Sequence, residues 1–450
     1  MELRGARALV VGLGKSGGAA ARLLLREGAS VAVADAKQVS VPEGARFAGA
    51  PRPEVYEGID LVVKSPGVPR AALQGARGQI IGEIELAFRF LREPVVGITG
   101  TNGKSTTTAL TGHLLRTAGL RAFVGGNLGT ALSERVLTGG DLDASVCELS
   151  SFQLEDVRLL RCAAAAVLNV TPDHFDRYAS MDDYAAAKAR IFERQRPGDL
   201  AVLNADDEWC RKMTTLPGVR RALFTGKEQT AEARSSRRAA SPEENNLSAL
   251  RVSAVCIFPG TVTVDGADYR ITAKTLRGAH NAQNAMAALL MARHLGVAPE
   301  ALQRGLDTYP GLPHRLEPVR TLNGVEWVND SKATNVDSVE KALGAFEGGL
   351  FVIMGGRGKG APYAPLRPLF SGRVKNLLTI GEDARRIEEE LGDLAPVQRC
   401  GDIESAVAWA HGRARSGDVV LLAPACASYD QFKNFEERGE RFKMLVRSLA

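Results

Sequence analysis

The chain has 450 residues, 45% of them hydrophobic, and its 57 lysines and arginines against 52 aspartates and glutamates leave a net charge of +5. That length can hold about three domains with sizeable cores, and the mild basic excess suits small anionic substrates but lacks the basic blocks of a nucleic-acid-binding arm, so no nucleic-acid partner is expected. Six cysteines without any C-x-x-C pair suggest neither a disulfide framework nor a thiolate metal site, and a reducing compartment is the expected setting.

In chain order, "MELRGARALVVGLG" goes from a charged start straight into a short apolar strand, without the long apolar run of a signal peptide or membrane span. A glycine turn, the small-residue helix "GGAAARLLLREG" and the strand "SVAVAD" complete a βαβ unit, and "DLVVKSPG" and "QIIGE" continue the alternation up to a linker at "FLREP". A second set starts at "PVVGIT" and runs through the helix "STTTALTGHLLRTAG" and the strands "ASVCELS", "AAAAVLNV" and "LAVLNAD" to the helix "NAMAALLMARHLG". A third carries "VEWVNDSKATN", "LFVIMGG", "NLLTIG" and "VVLLAPA". The expectation is an α/β chain of three domains: a Rossmann-like N-terminal domain at 1–93, a central P-loop mononucleotide-binding domain at 94–298, and a Rossmann-like C-terminal domain at 299–450. The polar stretch "TGKEQTAEARSSRRAASPEENN", 225–246, reads as a surface loop or extension.

The stretch "VVGITGTNGKSTTTAL", 95–110, has most of a phosphate-binding loop but not the usual spelling. The pattern G-x-x-x-x-G-K-[ST] wants a glycine where Ile98 stands. The loop nevertheless follows a strand and opens a helix, so backbone N–H groups and the helix N-terminus can meet phosphate oxygens, with Lys104 as a mobile cation and Ser105 placed for Mg²⁺. Glu148, at the end of "ASVCE", is a candidate second oxygen ligand by analogy with the acid of other P-loop proteins; a lone strand-end glutamate is otherwise an ordinary exposed carboxylate.

"GLGKSG" puts Gly12, Gly14 and Gly17 in G-x-G-x-x-G spacing after the first strand, with Asp35 about 20 residues on, where a dinucleotide fold binds ribose. Alone, this reads as a nicotinamide-dependent oxidoreductase, and Asp35 equally as a solvated strand-end acid. A regulatory or motor-type P-loop ATPase is the further alternative.

The loop "TGTNGKST" resembles the ATP-binding signature of the Mur ligase family, ATP-dependent amide-forming enzymes of peptidoglycan precursor synthesis. "CELSSFQLE", "NVTPDHFDRY", "YAAAKARIFE", "HNAQNAMAAL", "GLPHRLE", "NDSKATN" and "APACASYDQFKNFEERG" follow in order, and together they are similar to the member adding D-glutamate to UDP-N-acetylmuramoyl-L-alanine. The match is dense in the central and C-terminal parts and looser in the N-terminal one.

The resemblance implies a cytoplasmic, monomeric ligase with no membrane partner, working with ATP and two Mg²⁺ ions through an acyl phosphate. It implies ATP contacts at Gly100, Thr101, Asn102, Gly103, Lys104, Ser105, Thr106, Asn281, Asn284, Arg315, Asp330 and Lys332. Lys104, Glu148, His174 and Lys188 would be catalytic; Ser105, Glu148, His174 and a Lys188 carbamylated by CO₂ would hold the metal. By themselves, His174 reads as a capping or packing residue and Lys188 as a solvated helix former. The UDP-sugar would lie on Gly14, Lys15, Ser16, Asp35, Ser65, Pro66, Gly67 and Asn127, and D-glutamate on Thr334, Lys359, Ser428 and Phe435. Arg357 departs from the family, which commonly has an acid there, and Tyr429 stands where another hydrophobic residue is usual.

Overall fold

The computed structural model describes residues 3–175, 177–226, 252–258 and 260–450. The polar stretch expected as a surface extension lies, from 227 on, outside the described residues. The chain divides into two compact units, Met1–Tyr269 with Gln283–Leu306, and Arg270–Ala282 with Asp307–Ala450.

The first unit opens on a five-stranded parallel sheet whose spatial order is Arg46–Gly49, Ser30–Ala34, Arg7–Val11, Leu61–Lys64 and Gln79–Gly82. "RALVV", "SVAVA" and "LVVK" are almost wholly buried, as apolar strands covered on both faces should be. The chain reverses direction across the sheet between Arg7–Val11 and Leu61–Lys64, which opens a crevice at their carboxyl ends. Helix Lys15–Arg26 packs there through Gly17, Ala20, Leu23 and Leu24. Gly17 has to be glycine, because the Gly12 carbonyl oxygen occupies the place of a Cβ.

The second sheet has nine strands, in the order Ala267–Arg270, Thr261–Val264, Val252–Phe258, Arg220–Thr225, Leu200–Asn204, Cys162–Val167, Val95–Thr99, Ala144–Glu148 and Ala122–Gly126. Its seven strands from Val252–Phe258 to Ala122–Gly126 are parallel, and Thr261–Val264 pairs antiparallel with Val252–Phe258. Val95–Thr99 lies between the strands ending at Glu148 and Val167, so three strand ends converge beside the phosphate-type loop.

One continuous core joins these two sheets, from Val10, Leu23 and Ile84 to Val95, Leu132, Cys147 and Leu154. Buried carboxylates staple the seam. Glu83 accepts from the Ser133 N–H at 2.5 Å, and Glu85 from the N–H groups of Arg158, Leu159 and Leu160 at 2.9–3.1 Å. Lys64 and Asp156, both buried, pair at 2.9 Å. The "FLREP" segment is fastened as well: Glu93 accepts from Arg135 at 2.9 Å and from Ser145 at 2.7 Å.

The second unit is built on a six-stranded sheet in the order Glu317–Leu322, Val325–Asn329, Val419–Leu422, Leu350–Gly355, Val374–Ile380 and Val397–Gly401. Only the first pair is antiparallel. The last strand in the chain is inserted beside Val325–Asn329 and Leu350–Gly355, which again brings loops together at a switch point. Among the described residues no helix is long and apolar enough to cross a membrane, and Cys147, Cys162, Cys210, Cys400 and Cys426 are free thiols.

Candidate active site

The non-standard glycine loop leaves Val95–Thr99, passes through Gly100 at φ +149° and Gly103 at φ +85°, and enters helix Lys104–Thr117. Gly103 caps the helix in the left-handed region, where the Asn284 side chain fills the space a Cβ would need. Asn284 Oδ1 also accepts from Thr107 Oγ1 at 3.3 Å. Asn169, at the end of the adjacent strand, clasps the loop: its carbonyl accepts from Thr101 N (2.9 Å), its Oδ1 from Asn102 N (2.8 Å), and its amide donates to the Asn102 carbonyl (3.1 Å). Asn169 is not among the residues expected at the site; its position just after a strand beside the loop strand is the signal in "NVTPDHFDRY" that marks it.

Two lysines converge on the loop. Lys104 Nζ donates to the carbonyls of Gly100 (3.0 Å) and Thr101 (2.9 Å), and Lys188 Nζ donates to that same Gly100 oxygen at 2.9 Å. Lys188 is not a solvated helix former: it is 1% exposed, with its nitrogen 4.3 Å from the centre of the Tyr184 ring. Burial, then the neighbouring Lys104 charge, push its ammonium well below the ordinary lysine range. Tyr184, which the sequence reading also passed over, lies 3.3 Å from Thr101 Oγ1.

Glu148, buried at its strand end, accepts from the Asn127 amide at 2.8 Å through Oε1, while Oε2 is buried without a hydrogen bond. Thr106 Oγ1, one turn into the loop helix, is likewise unpartnered. Such bare oxygens fit a hard cation, which wants oxygen donors and keeps several waters. Ser105 is the second residue of that helix. Among the described residues no three His, Cys, Asp or Glu side chains cluster as a metal site. His174 takes the left-handed conformation (φ +56°), is half-exposed, and packs edge-on to Phe152 at 4.9 Å and Tyr184 at 6.0 Å.

At the first sheet's crevice, Gly14 caps helix Lys15–Arg26, and Lys15 and Ser16 form its first turn. Asp35 is held by the loop: its oxygens accept from Lys37 N (3.0 Å) and Leu13 N (2.7 Å), and these bonds lower its pKa. Ser65 Oγ donates to the Gly12 carbonyl at 2.6 Å, tying the Ser65–Gly67 turn to the glycine loop, and Arg177 donates to the Pro66 carbonyl at 3.2 Å. Asn127, grouped with this crevice by resemblance, is bonded to Glu148.

In the second unit, Asp330 is buried and accepts from Leu316 N at 3.2 Å; burial raises its pKa to about 6, against the lowering influence of Arg315 and Lys332. Lys332 Nζ lies 5.6 Å from the Phe435 ring centre. Arg438 is fully buried and holds this loop to the next one, donating to Ser331 and to the Cys426 carbonyl. Asn281 donates to the Arg277 carbonyl at 2.9 Å. Thr334 is partly exposed, Ser428 buried and Lys359 exposed. The unusual Arg357 pairs at the surface with Glu382 at 2.9 Å, so its charge is met locally, and Tyr429 is 66% exposed.

Residues 98–292 match the family model described as Mur ligase middle domain, and 314–426 the one described as Mur ligase, glutamate ligase domain. Two curated relatives, both called UDP-N-acetylmuramoylalanine--D-glutamate ligase, are similar over 100% of the chain: one from Anaeromyxobacter dehalogenans at 54% identity covering 99% of that protein, one from Myxococcus xanthus at 50% covering 100%. In fold, the chain is similar to the MurF ligase of Thermotoga maritima in complex with ADP, with TM-score 0.62 and 18% identity over 100% of this chain and 97% of that one.

Proposed function

The chain belongs to the Mur ligase family, and on that premise we propose how its residues carry the reaction. It is an ATP-dependent, ADP-forming ligase of peptidoglycan precursor synthesis that joins D-glutamate to UDP-N-acetylmuramoyl-L-alanine. A substrate carboxylate oxygen attacks the γ-phosphorus and ADP leaves. The glutamate amine then attacks the acyl phosphate carbon, loses a proton, and phosphate departs.

The loop N–H groups from Gly100 to Thr106 and Lys104 cradle the ATP phosphates; the left-handed Gly103 cap and the Asn169 clasp support this. Ser105 and Glu148 would hold one Mg²⁺ ion, which the bare Glu148 Oε2 supports, and the ion when bound would supply positive charge to the phosphates. His174 and a carbamylated Lys188 would hold a second. Asn281 and Asn284 serve the adenine, and Arg315, Asp330 and Lys332 the phosphates. The Gly14–Ser16 turn, Asp35 and Ser65–Gly67 take the UDP-sugar, with Asn127 assigned to the same substrate by resemblance. Thr334, Lys359, Ser428 and Phe435 receive D-glutamate. Three separate sheets support a division into three domains, proposed at 93 and 298, although the first two sheets share one core and the compact units break at 269, 282 and 306; the enzyme is taken to be a cytoplasmic monomer.

The observation that carries the site reading is the buried Lys188 nitrogen sharing the Gly100 carbonyl with Lys104. Two ammonium groups on one acceptor repel each other, and burial together with the Lys104 charge favours the neutral amine at Lys188. A neutral amine can attack CO₂: nitrogen bonds to the carbon, a proton leaves, and the product is an anionic oxygen ligand. Lys188→Ala should therefore lose ligation while keeping ATP binding, and added acetate should restore part of the activity by supplying carboxylate oxygens in the vacated space. Acetate should do nothing for Lys104→Ala, whose missing group is a cation. Wild-type ligation by Lys188→Ala would refute the carbamate.

A further inference from the structure

In the second unit, two loops at the carboxyl edge of the sheet carry the residues assigned to D-glutamate: Gly356–Gly360 with Lys359, and Ala423–Ser428 with Ser428. At their base the loops pair as a two-way bridge, Arg357 N to the Ala427 carbonyl at 2.9 Å and Ala427 N to the Arg357 carbonyl at 3.0 Å. A second connection runs through side chains. Tyr363, 2% exposed, donates its hydroxyl to Asp383, and the same oxygen lies 3.0 Å from the Cys426 sulfur.

A phenol has one proton, so with that proton on Asp383 its oxygen must accept from the Cys426 thiol, and the relay runs Cys426 S–H to Tyr363 O–H to the Asp383 carboxylate. Burial keeps the thiol protonated, raising its pKa to about 11. The Asp383 carboxylate lies against Gly358, occupying the place a Cβ would take, directly beside Lys359. Asp383 N also donates to the Gly356 carbonyl at 2.9 Å, Arg386 reaches the Gly360 carbonyl at 3.3 Å, and Tyr363 N donates to Glu390 at 2.5 Å. Besides the Gly356 N–H to the Ile380 carbonyl (3.2 Å) and the surface Arg357–Glu382 pair, the Lys359 loop is thus attached through the Ala427 bridge and through groups around Tyr363.

We propose that Tyr363 is a positioning residue for the amino-acid substrate, its hydroxyl coupling the Lys359 loop to the Ser428 loop through Asp383 and Cys426. The proposal rests on the reading that these two loops receive D-glutamate. It assigns Tyr363 no contact with the substrate: the hydroxyl fixes the spacing between a cation and a hydroxyl that grip opposite parts of one small molecule.

Tyr363→Phe removes the hydroxyl and keeps the ring under Arg386. Steady-state kinetics should give a KM for D-glutamate raised on the order of ten-fold, the usual consequence of losing a hydrogen bond to a charged group. KM for ATP and for the UDP-sugar, and kcat, should stay at wild-type values. Asp383→Asn, isosteric but uncharged, should shift the same KM in the same direction. An unchanged KM for D-glutamate in both variants, or a common rise for all three substrates, would overturn the proposal. Lys359→Ala separates the two levels: if it raises KM for D-glutamate and Tyr363→Phe does not, only the relay is wrong, and if it leaves that KM unchanged, the site reading falls and the relay with it.

Discussion

The side-chain amide of Asn127 donates to Glu148 Oε1 at 2.8 Å, and the Asn127 backbone N–H donates to the Glu148 carbonyl at 2.9 Å. One residue thereby fixes the carboxylate's rotamer and aims Oε2, which has no hydrogen bond, away from the pair. A ligand oriented by such a partner normally loses one to two orders of magnitude in metal affinity when the partner is removed.

Asn127→Ala should therefore raise the Mg²⁺ concentration needed for half-maximal ligation by about ten- to a hundred-fold. Mg²⁺ titration of initial rates at saturating UDP-sugar measures this. A rise confined to KM for the UDP-sugar, with an unchanged Mg²⁺ requirement, would make Asn127 a substrate contact alone and remove its role behind Glu148.

A pH dependence of stability is built into the seam of the first unit. Complete burial raises the Glu83 pKa from 4.5 to about 7, only partly offset by the Ser133 N–H. The folded chain favours the protonated carboxyl, so Glu83 costs nothing below pH 4.5, and its cost develops between 4.5 and about 7 and is complete above. Glu83→Gln imitates the protonated form, and should be more stable than wild type by about 3 kcal/mol at pH 8 and equal to it near pH 4. Denaturant melts at the two pH values measure the difference. A variant less stable than wild type at pH 8 would mean that the ionised carboxylate strengthens the seam.

How much of this could be read from the sequence follows the burial pattern. The strands seen in advance, such as "ALVVG", "PVVGIT" and "VVLLAPA", lie inside parallel sheets and are continuously apolar. Arg46–Gly49, Ala122–Gly126 and Val397–Gly401 were passed over; each is at a sheet edge, and the first and last are largely exposed, so neither periodicity nor hydrophobicity marks them. The placement of Lys104 and Ser105 on the loop helix and of Glu148 at a neighbouring strand end was legible because the glycine loop follows a strand and opens a helix. Lys188 was not legible from its alanine-rich helix: Tyr184 lies one turn back on that helix, but the loop carbonyl of Gly100 that its nitrogen meets is 88 positions away. Asn169 and Tyr363 act through bonds to residues 67 and 63 positions away, at Asn102 and Cys426; a strand end marks the first, and nothing in the neighbouring residues announces the second.

The central claim is D-glutamate-dependent turnover of ATP, and the most direct measurement is ADP release by the purified chain with UDP-N-acetylmuramoyl-L-alanine, Mg²⁺ and a panel of D-glutamate, L-glutamate, L-alanine, lysine and diaminopimelate. ADP should form only when nucleotide sugar and amino acid are both present, with D-glutamate stimulating far above every other member of the panel, and with a product heavier by one glutamyl residue. ADP release at the same rate without any amino acid, or equal stimulation by lysine, would contradict the account.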